Sequence, residues 1–183
     1  MQQLSYVSGN KSKFNNAALF MTPLGVELQQ ETLHLDEIQA EDSTEIAKEK
    51  VKQAFDILQK PLFVNDASWH IPALGGFPGP FMKYMVQWLT EDDILNLMRG
   101  KEDRTIILSD VIAYKDQGVE MIFTREVKGR LLDIPEGETE GPFIIRLISF
   151  TDDGRSLASV QPDGFTEREI PLWQEFAEWV KTR

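Results

Sequence analysis

The chain of 183 residues has no cysteine, only two histidines, and no apolar run near the roughly 18 residues that a membrane span requires. The first absence excludes a disulfide framework, a thiolate metal centre and a cysteine nucleophile. His34 and His70 make a weak zinc pair and read better as structural or exposed side chains. Positive charge is scarce too: 19 Lys+Arg face 30 Asp+Glu, a formal net charge of −11. Such acidity disfavours duplex nucleic acid, where lysine and arginine must replace condensed counterions. It leaves room for a small anion in a local basic pocket. The first residues, MQQLSYVSGN, lack the basic stretch and apolar core of a secretory signal, so a soluble, cytoplasmic protein with no membrane partner is expected. What the chain does have is 42% apolar residues, 11 of its residues being Phe, which argues against disorder. At about 100–200 residues per domain, this length reads as one domain over residues 1–183 with a sizeable core.

Short apolar runs alternate with helical patterns in the first half. Leu4–Ser8 reads as a strand, and Phe14, Ala17, Ala18 and Met21 place one face of a helix over 11–21. Pro23-Leu24-Gly25 ends that helix, and Val26–Thr32 reads as a second strand. Asp42 and Glu45 have capping-box spacing ahead of a face traced by Ile46, Ala47, Val51, Ala54, Phe55 and Leu58, which Lys50 interrupts. Leu62–Asn65 is a short buried strand, and strand-helix-strand-helix-strand favours an α/β fold. ALGGFPGP over 73–80 is a turn-rich loop, followed by helices around 82–89 and, capped by Thr90, 91–98. Thr105–Tyr114 and Val119–Lys128 form a hairpin around Lys115–Gly118. Ile144–Phe150 and Leu157–Val160 are expected to form another around Thr151–Gly154, and Leu172, Phe176, Trp179 and Val180 mark a last amphipathic helix.

Four places could carry chemistry. Ser8-Gly9-Asn10-Lys11-Ser12-Lys13 joins a strand to a helix, where exposed N–H groups and the helix dipole make an anion site. Lys13 would add charge there; the alternative is a plain turn with solvated lysines. Glu37 could ligate a hard cation or simply sit exposed in a loop. Lys50 either snorkels from its apolar face or points its ammonium into a cleft that holds anions. Asp66 ends a strand, where α/β sheets bind ligands, and could hold Mg²⁺, take a proton from water, or close a turn on its own backbone. Ser68 and His70 lie nearby without the geometry of a triad, and the 73–80 loop fails G-x-G-x-x-G.

In order and spacing, these segments resemble the inosine triphosphate pyrophosphatase family as a divergent member. The resemblance runs through Ser8-Gly9-Asn10-Lys11-Ser12-Lys13, Leu35-Asp36-Glu37-Ile38-Gln39, Glu45-Ile46 with Lys50, Val64-Asn65-Asp66, Leu74–Pro80 and Lys128-Gly129-Arg130-Leu131. It implies an elongated mixed sheet with flanking helices, two lobes around a central cleft, and a homodimer. It implies Mg²⁺-dependent hydrolysis of a non-standard purine nucleoside triphosphate to monophosphate and pyrophosphate. Ser8, Gly9, Asn10, Lys13 and Lys50 then contact substrate, Glu37 and Asp66 hold the metal, and Asp66 and Lys13 are the catalytic pair. Four departures stand out. Asn65 replaces an acid, Gly141–Phe150 lacks the aspartate of a base-reading segment, a C-terminal Ser-His-Arg is missing, and a phosphate-contacting lysine ahead of it has no clear counterpart. They imply altered base recognition, or a family member that binds nucleotide in a regulatory role without turnover.

Overall fold

A computed structural model describes residues 2–160 and 170–183. Its hydrogen-bonded strand order is β2 (Val26–Glu31), β1 (Gln2–Val7), β3 (Leu62–His70), β5 (Thr105–Lys115), β6 (Glu120–Leu131) and β7 (Ile148–Ser149), with β4 (Pro78–Gly79) paired to β3, in a mixed sheet of seven strands flanked by helices. The chain divides into two compact units, Met1–Asp66 with Asp110–Arg125 and Glu167–Arg183, and Ala67–Ser109 with Glu126–Thr166.

The first unit begins with β1 (Gln2–Val7), α1 (Lys11–Met21), β2 (Val26–Glu31) and α2 (Ser43–Leu58). β1 pairs in parallel with β2, Gln2 opposite Val26, and with β3 (Leu62–His70), Tyr6 opposite Phe63. Both sheet faces are buried here, which is why the start of β3 reads as an unbroken apolar run rather than an alternating one. On one face, Val7, Leu62 and Val64 pack with Ala47, Val51, Ala54 and Phe55 of α2. On the other, Tyr6 and Phe63 meet Trp173 and Phe176 of α6 (Ile170–Val180). Asp42 caps α2 by accepting from the Thr44 N–H at 2.8 Å, and Gln59 ends it in the left-handed region with φ 52°. None of the helices among the described residues is long and apolar enough to cross a membrane.

β5 (Thr105–Lys115) and β6 (Glu120–Leu131) form the expected hairpin. The Asp116 carboxylate closes its turn by accepting from the N–H groups of Gly118 and Val119. In the second unit, β4 (Pro78–Gly79) pairs antiparallel with the end of β3, and α3 (Met82–Trp88) and α4 (Glu91–Leu97) follow. Ile71, Met85, Ile94, Met98, Ile106 and Leu147 are among its core residues. Thr90 and Asp93 form a full capping box on α4. The buried Arg104 is matched by the carbonyls of Met98, Leu131 and Leu132 and by Asp133.

The second predicted hairpin does not form. A 3-10 turn at Phe143–Arg146 precedes a two-residue β7 (Ile148–Ser149), and Leu157–Val160 is helical (α5). Only an isolated bridge, Ser149 to Ser156, remains of the pairing. The reason is local. Ser156 Oγ accepts from the Ser159 N–H at 3.1 Å, while the Ser156 N–H donates to Glu136. A capping serine therefore starts a helix where the apolar run suggested a strand.

Candidate active site

The parallel register of β1 and β3 builds the site. The ladder pairs Tyr6 with Phe63, so Ser8, which follows the end of β1, and Asn65 on β3 each lie two residues further along their chains. The Ser8 side chain and the charge of Asp66 both act on the Tyr6 phenol. Asn10 is the N-cap of α1, its Oδ1 accepting from the Lys13 N–H at 3.1 Å. Ser8 Oγ accepts from the Asn10 N–H at 3.2 Å, and the Gln30 amide holds the Ser8 carbonyl at 2.8 Å. Gly9 has no steric neighbour that demands glycine, since a Cβ there would meet only Thr32 Cγ2 at 3.9 Å. Lys13 sits exposed on the first turn of α1.

One of the two readings of Lys50 is excluded. Its ammonium does not snorkel to solvent; it donates to Asp66 Oδ2 at 2.7 Å and pairs with Glu37 Oε1. Burial by itself pushes the Lys50 pKa down, but the charges and hydrogen bonds of Asp66 and Glu37 outweigh it, and the net shift is upward. The side chains of Lys50 and Asp66 are 17% and 22% exposed, whereas that of Glu37 is 68% exposed. So exposed an ion pair adds little to stability, and the placing of Glu37 needs another cause.

That cause is Gln53, one turn along α2. Its side chain accepts from the Asp36 N–H at 3.0 Å and donates to the Asp36 carbonyl at 3.0 Å and to Glu49 at 3.1 Å. This clamp fixes the backbone beside Glu37 in a stretch without regular structure. The sequence reading passed over Gln53 because a glutamine on a helix surface has no distinguishing pattern. Gln53→Ala should leave the melting temperature within about 2 °C while weakening any cation held by Glu37 about tenfold, as read by metal titration of the intact protein.

The sequence reading also missed Asp110. This carboxylate is 4% exposed on β5, and it accepts from Asn65 Nδ2 at 2.6 Å. The same Asn65 amide nitrogen donates to the Val111 carbonyl at 3.1 Å. The visible signal was an acid in the middle of a strand rich in apolar residues. Ser68 and His70 are bonded at 2.9 Å, but Ser68 is fully buried and cannot reach a substrate.

No group of three or more His, Asp or Glu that could hold a metal forms among the described residues. Two carboxylates meeting at one point are nonetheless a fitting donor set for magnesium, which takes one or two protein carboxylates and completes its octahedron with waters and phosphate oxygens.

Comparison with known proteins places the chain in a family. The Ham1 family model matches residues 4–146. A dITP/XTP pyrophosphatase of Methanopyrus kandleri is 31% identical over 178 residues, covering 96% of this chain and 95% of that protein. An inosine triphosphate pyrophosphatase of Ajellomyces capsulatus is 30% identical over 134 residues, 72% of each chain. The solved structure of a HAM1 protein from Coxiella burnetii shares the fold, with a TM-score of 0.81 at 17% identity over the full length of both chains. The match covers every segment that carried the resemblance, and the chain belongs to the Ham1 family.

Proposed function

We propose that the protein hydrolyses a non-standard purine nucleoside triphosphate to the monophosphate and pyrophosphate, with Mg²⁺, in a cytoplasmic homodimer. One observation carries the chemistry: Glu37 and Asp66 converge on the ammonium of Lys50. The names of the relatives, dITP/XTP and inosine triphosphate pyrophosphatases, point to triphosphates with an oxopurine base.

In this reading the turn at Ser8, Gly9 and Asn10, with Lys13 and Lys50, binds the phosphate chain at the positive end of α1. Asp66 orients a water towards the α-phosphorus and takes its proton. The water oxygen bonds to that phosphorus, the α–β bridge breaks, and pyrophosphate leaves with the bridging electrons. Glu37 and Asp66 would hold the magnesium, which when bound supplies positive charge to offset that building on the leaving group. Lys13 and Lys50 supply the protein's own share.

Base preference is the part we take to be rebuilt. In Gly141–Phe150, Arg146 is tied to Glu91 at 3.2 Å and to the Gly137 carbonyl at 2.8 Å, so its guanidinium is already committed. Pyrophosphate release from a panel of purine and pyrimidine triphosphates is the test. Oxopurine substrates should lead, and chelation with EDTA should remove at least about 99% of the activity, restored by added Mg²⁺. Tight triphosphate binding without product would instead mark a regulatory, non-hydrolytic member.

A further inference from the structure

One side chain of β1 has a ring that packing explains and a hydroxyl that packing does not. Tyr6 is fully buried, its ring stacked on Phe63 with centroids 4.5 Å apart and 7° between the planes. Phe14 stacks on it at 6.4 Å and Trp173 meets it edge-on at 6.4 Å. Phenylalanine would make all of these contacts. Yet the phenolic oxygen, buried as it is, has no hydrogen-bond partner among the described residues. An unpaired buried polar atom is costly and rare enough to call for an explanation.

Its surroundings supply one. Ser8 follows directly on β1, two residues after Tyr6, and its side chain lies close enough to the phenol to act on it. Asn65, two residues beyond Phe63 on β3, projects to the side of Phe63 and Tyr6 and bonds the buried carboxylate of Asp110. Burial pushes the Tyr6 pKa up; the Ser8 side chain, lying against the phenol outside bonding geometry, draws it down, and Asp110 and Asp66 push it further up. The net direction is upward, so the hydroxyl keeps its proton and is available as a donor.

The neighbour it can serve is Ser8 Oγ. A serine oxygen has two acceptor positions and one proton. The Asn10 N–H already occupies one acceptor position, at 3.2 Å. If Tyr6 fills the other, the Ser8 proton can only point away from both, to an acceptor presented at the N-terminus of the 11-residue helix α1. Hydroxyl, turn and helix dipole then all favour the same kind of ligand, an anion with exposed oxygens.

We propose that Tyr6 is a positioning residue for the phosphate chain, its hydroxyl donating to Ser8 Oγ and thereby fixing Ser8 as a donor to a phosphoryl oxygen in the Ser8-Gly9-Asn10 turn. This deepens the proposed function and rests on it. The test therefore reads two quantities: hydrolysis of dITP, and binding of inorganic tripolyphosphate by calorimetry, which needs no nucleoside and no turnover. Tyr6→Phe should melt at the same temperature as the parent or higher. Its tripolyphosphate affinity should fall about five- to tenfold, and its KM for dITP should rise equally with kcat within about twofold. Ser8→Ala should behave alike, and the double variant should be no weaker than Ser8→Ala alone, because the two groups act in one chain of hydrogen bonds. Unchanged affinity in Tyr6→Phe overturns the proposal, as does a melting temperature several degrees lower, which would mean a structural partner. Losses that multiply in the double variant overturn the link through Ser8. If dITP is not hydrolysed but tripolyphosphate binds and Tyr6→Phe weakens it, the hydrolytic reading fails and the role of Tyr6 stands.

Discussion

Asp66→Asn is expected to lower kcat for the preferred triphosphate by at least about 1,000-fold, with stability reduced by only about 1–2 kcal/mol. The substitution keeps the shape of the side chain and removes its charge and basicity. In the native arrangement Asp66 Oδ2 sits 2.7 Å from Lys50 Nζ, and both side chains are largely withdrawn from water. A break in a fully buried pair would cost more, but here the ammonium keeps Glu37 as a counter-charge. Steady-state kinetics with thermal denaturation separates the two effects. Activity within tenfold of the parent would mean that Asp66 neither activates water nor holds the cation.

Lys50→Met is the second large effect, and its sign with respect to magnesium is the informative part. Without the ammonium, the carboxylates of Glu37 and Asp66 converge on a point with no positive charge. Turnover should fall about 100-fold or more if Lys50 contacts the phosphate chain as proposed. The melting temperature should fall in magnesium-free buffer and recover on adding Mg²⁺ by more than the parent gains, since a bound cation takes up the repulsion. Lys50→Arg should not restore activity, as a planar guanidinium cannot place one compact charge between two carboxylates. The pH dependence follows from the upward shift of Lys50 from 10.5. A cation with a folded pKa above its unfolded one contributes its full stability below the unfolded value. That contribution is lost as pH rises through the folded value. The stability gap between parent and Lys50→Met should therefore be constant across neutral pH and narrow only above about pH 10.5.

Much of the first unit was legible because local signals and burial agreed. The predicted start of α1 at Lys11 and its end at Met21 coincide with the helix, where Asn10 caps one end and Pro23-Leu24-Gly25 follow the other. The face of α2 and its Asp42 cap were equally plain. β3 runs to His70 rather than stopping at Asn65, because edge pairing with Pro78–Gly79 extends the strand through residues whose own pattern is polar. The failed second hairpin shows the opposite conflict, in which a serine cap overrode apolar residues. In the site, Lys50 was visible as a charge on an apolar face, Glu37 as a loop carboxylate and Asp66 as an acid following a buried strand, and the family resemblance joined them. Gln53 and Tyr6 were not visible. One acts through hydrogen bonds to a distant backbone, and the other is distinguished only by a partner that is missing.

The most direct measurement is hydrolysis of dITP in ¹⁸O-labelled water with Mg²⁺, followed by mass analysis of both products. Attack on the α-phosphorus by a water that Asp66 activates predicts one ¹⁸O atom in each monophosphate and none in pyrophosphate. Label in pyrophosphate, release of orthophosphate in place of pyrophosphate, or undiminished labelling of monophosphate by Asp66→Asn would contradict it.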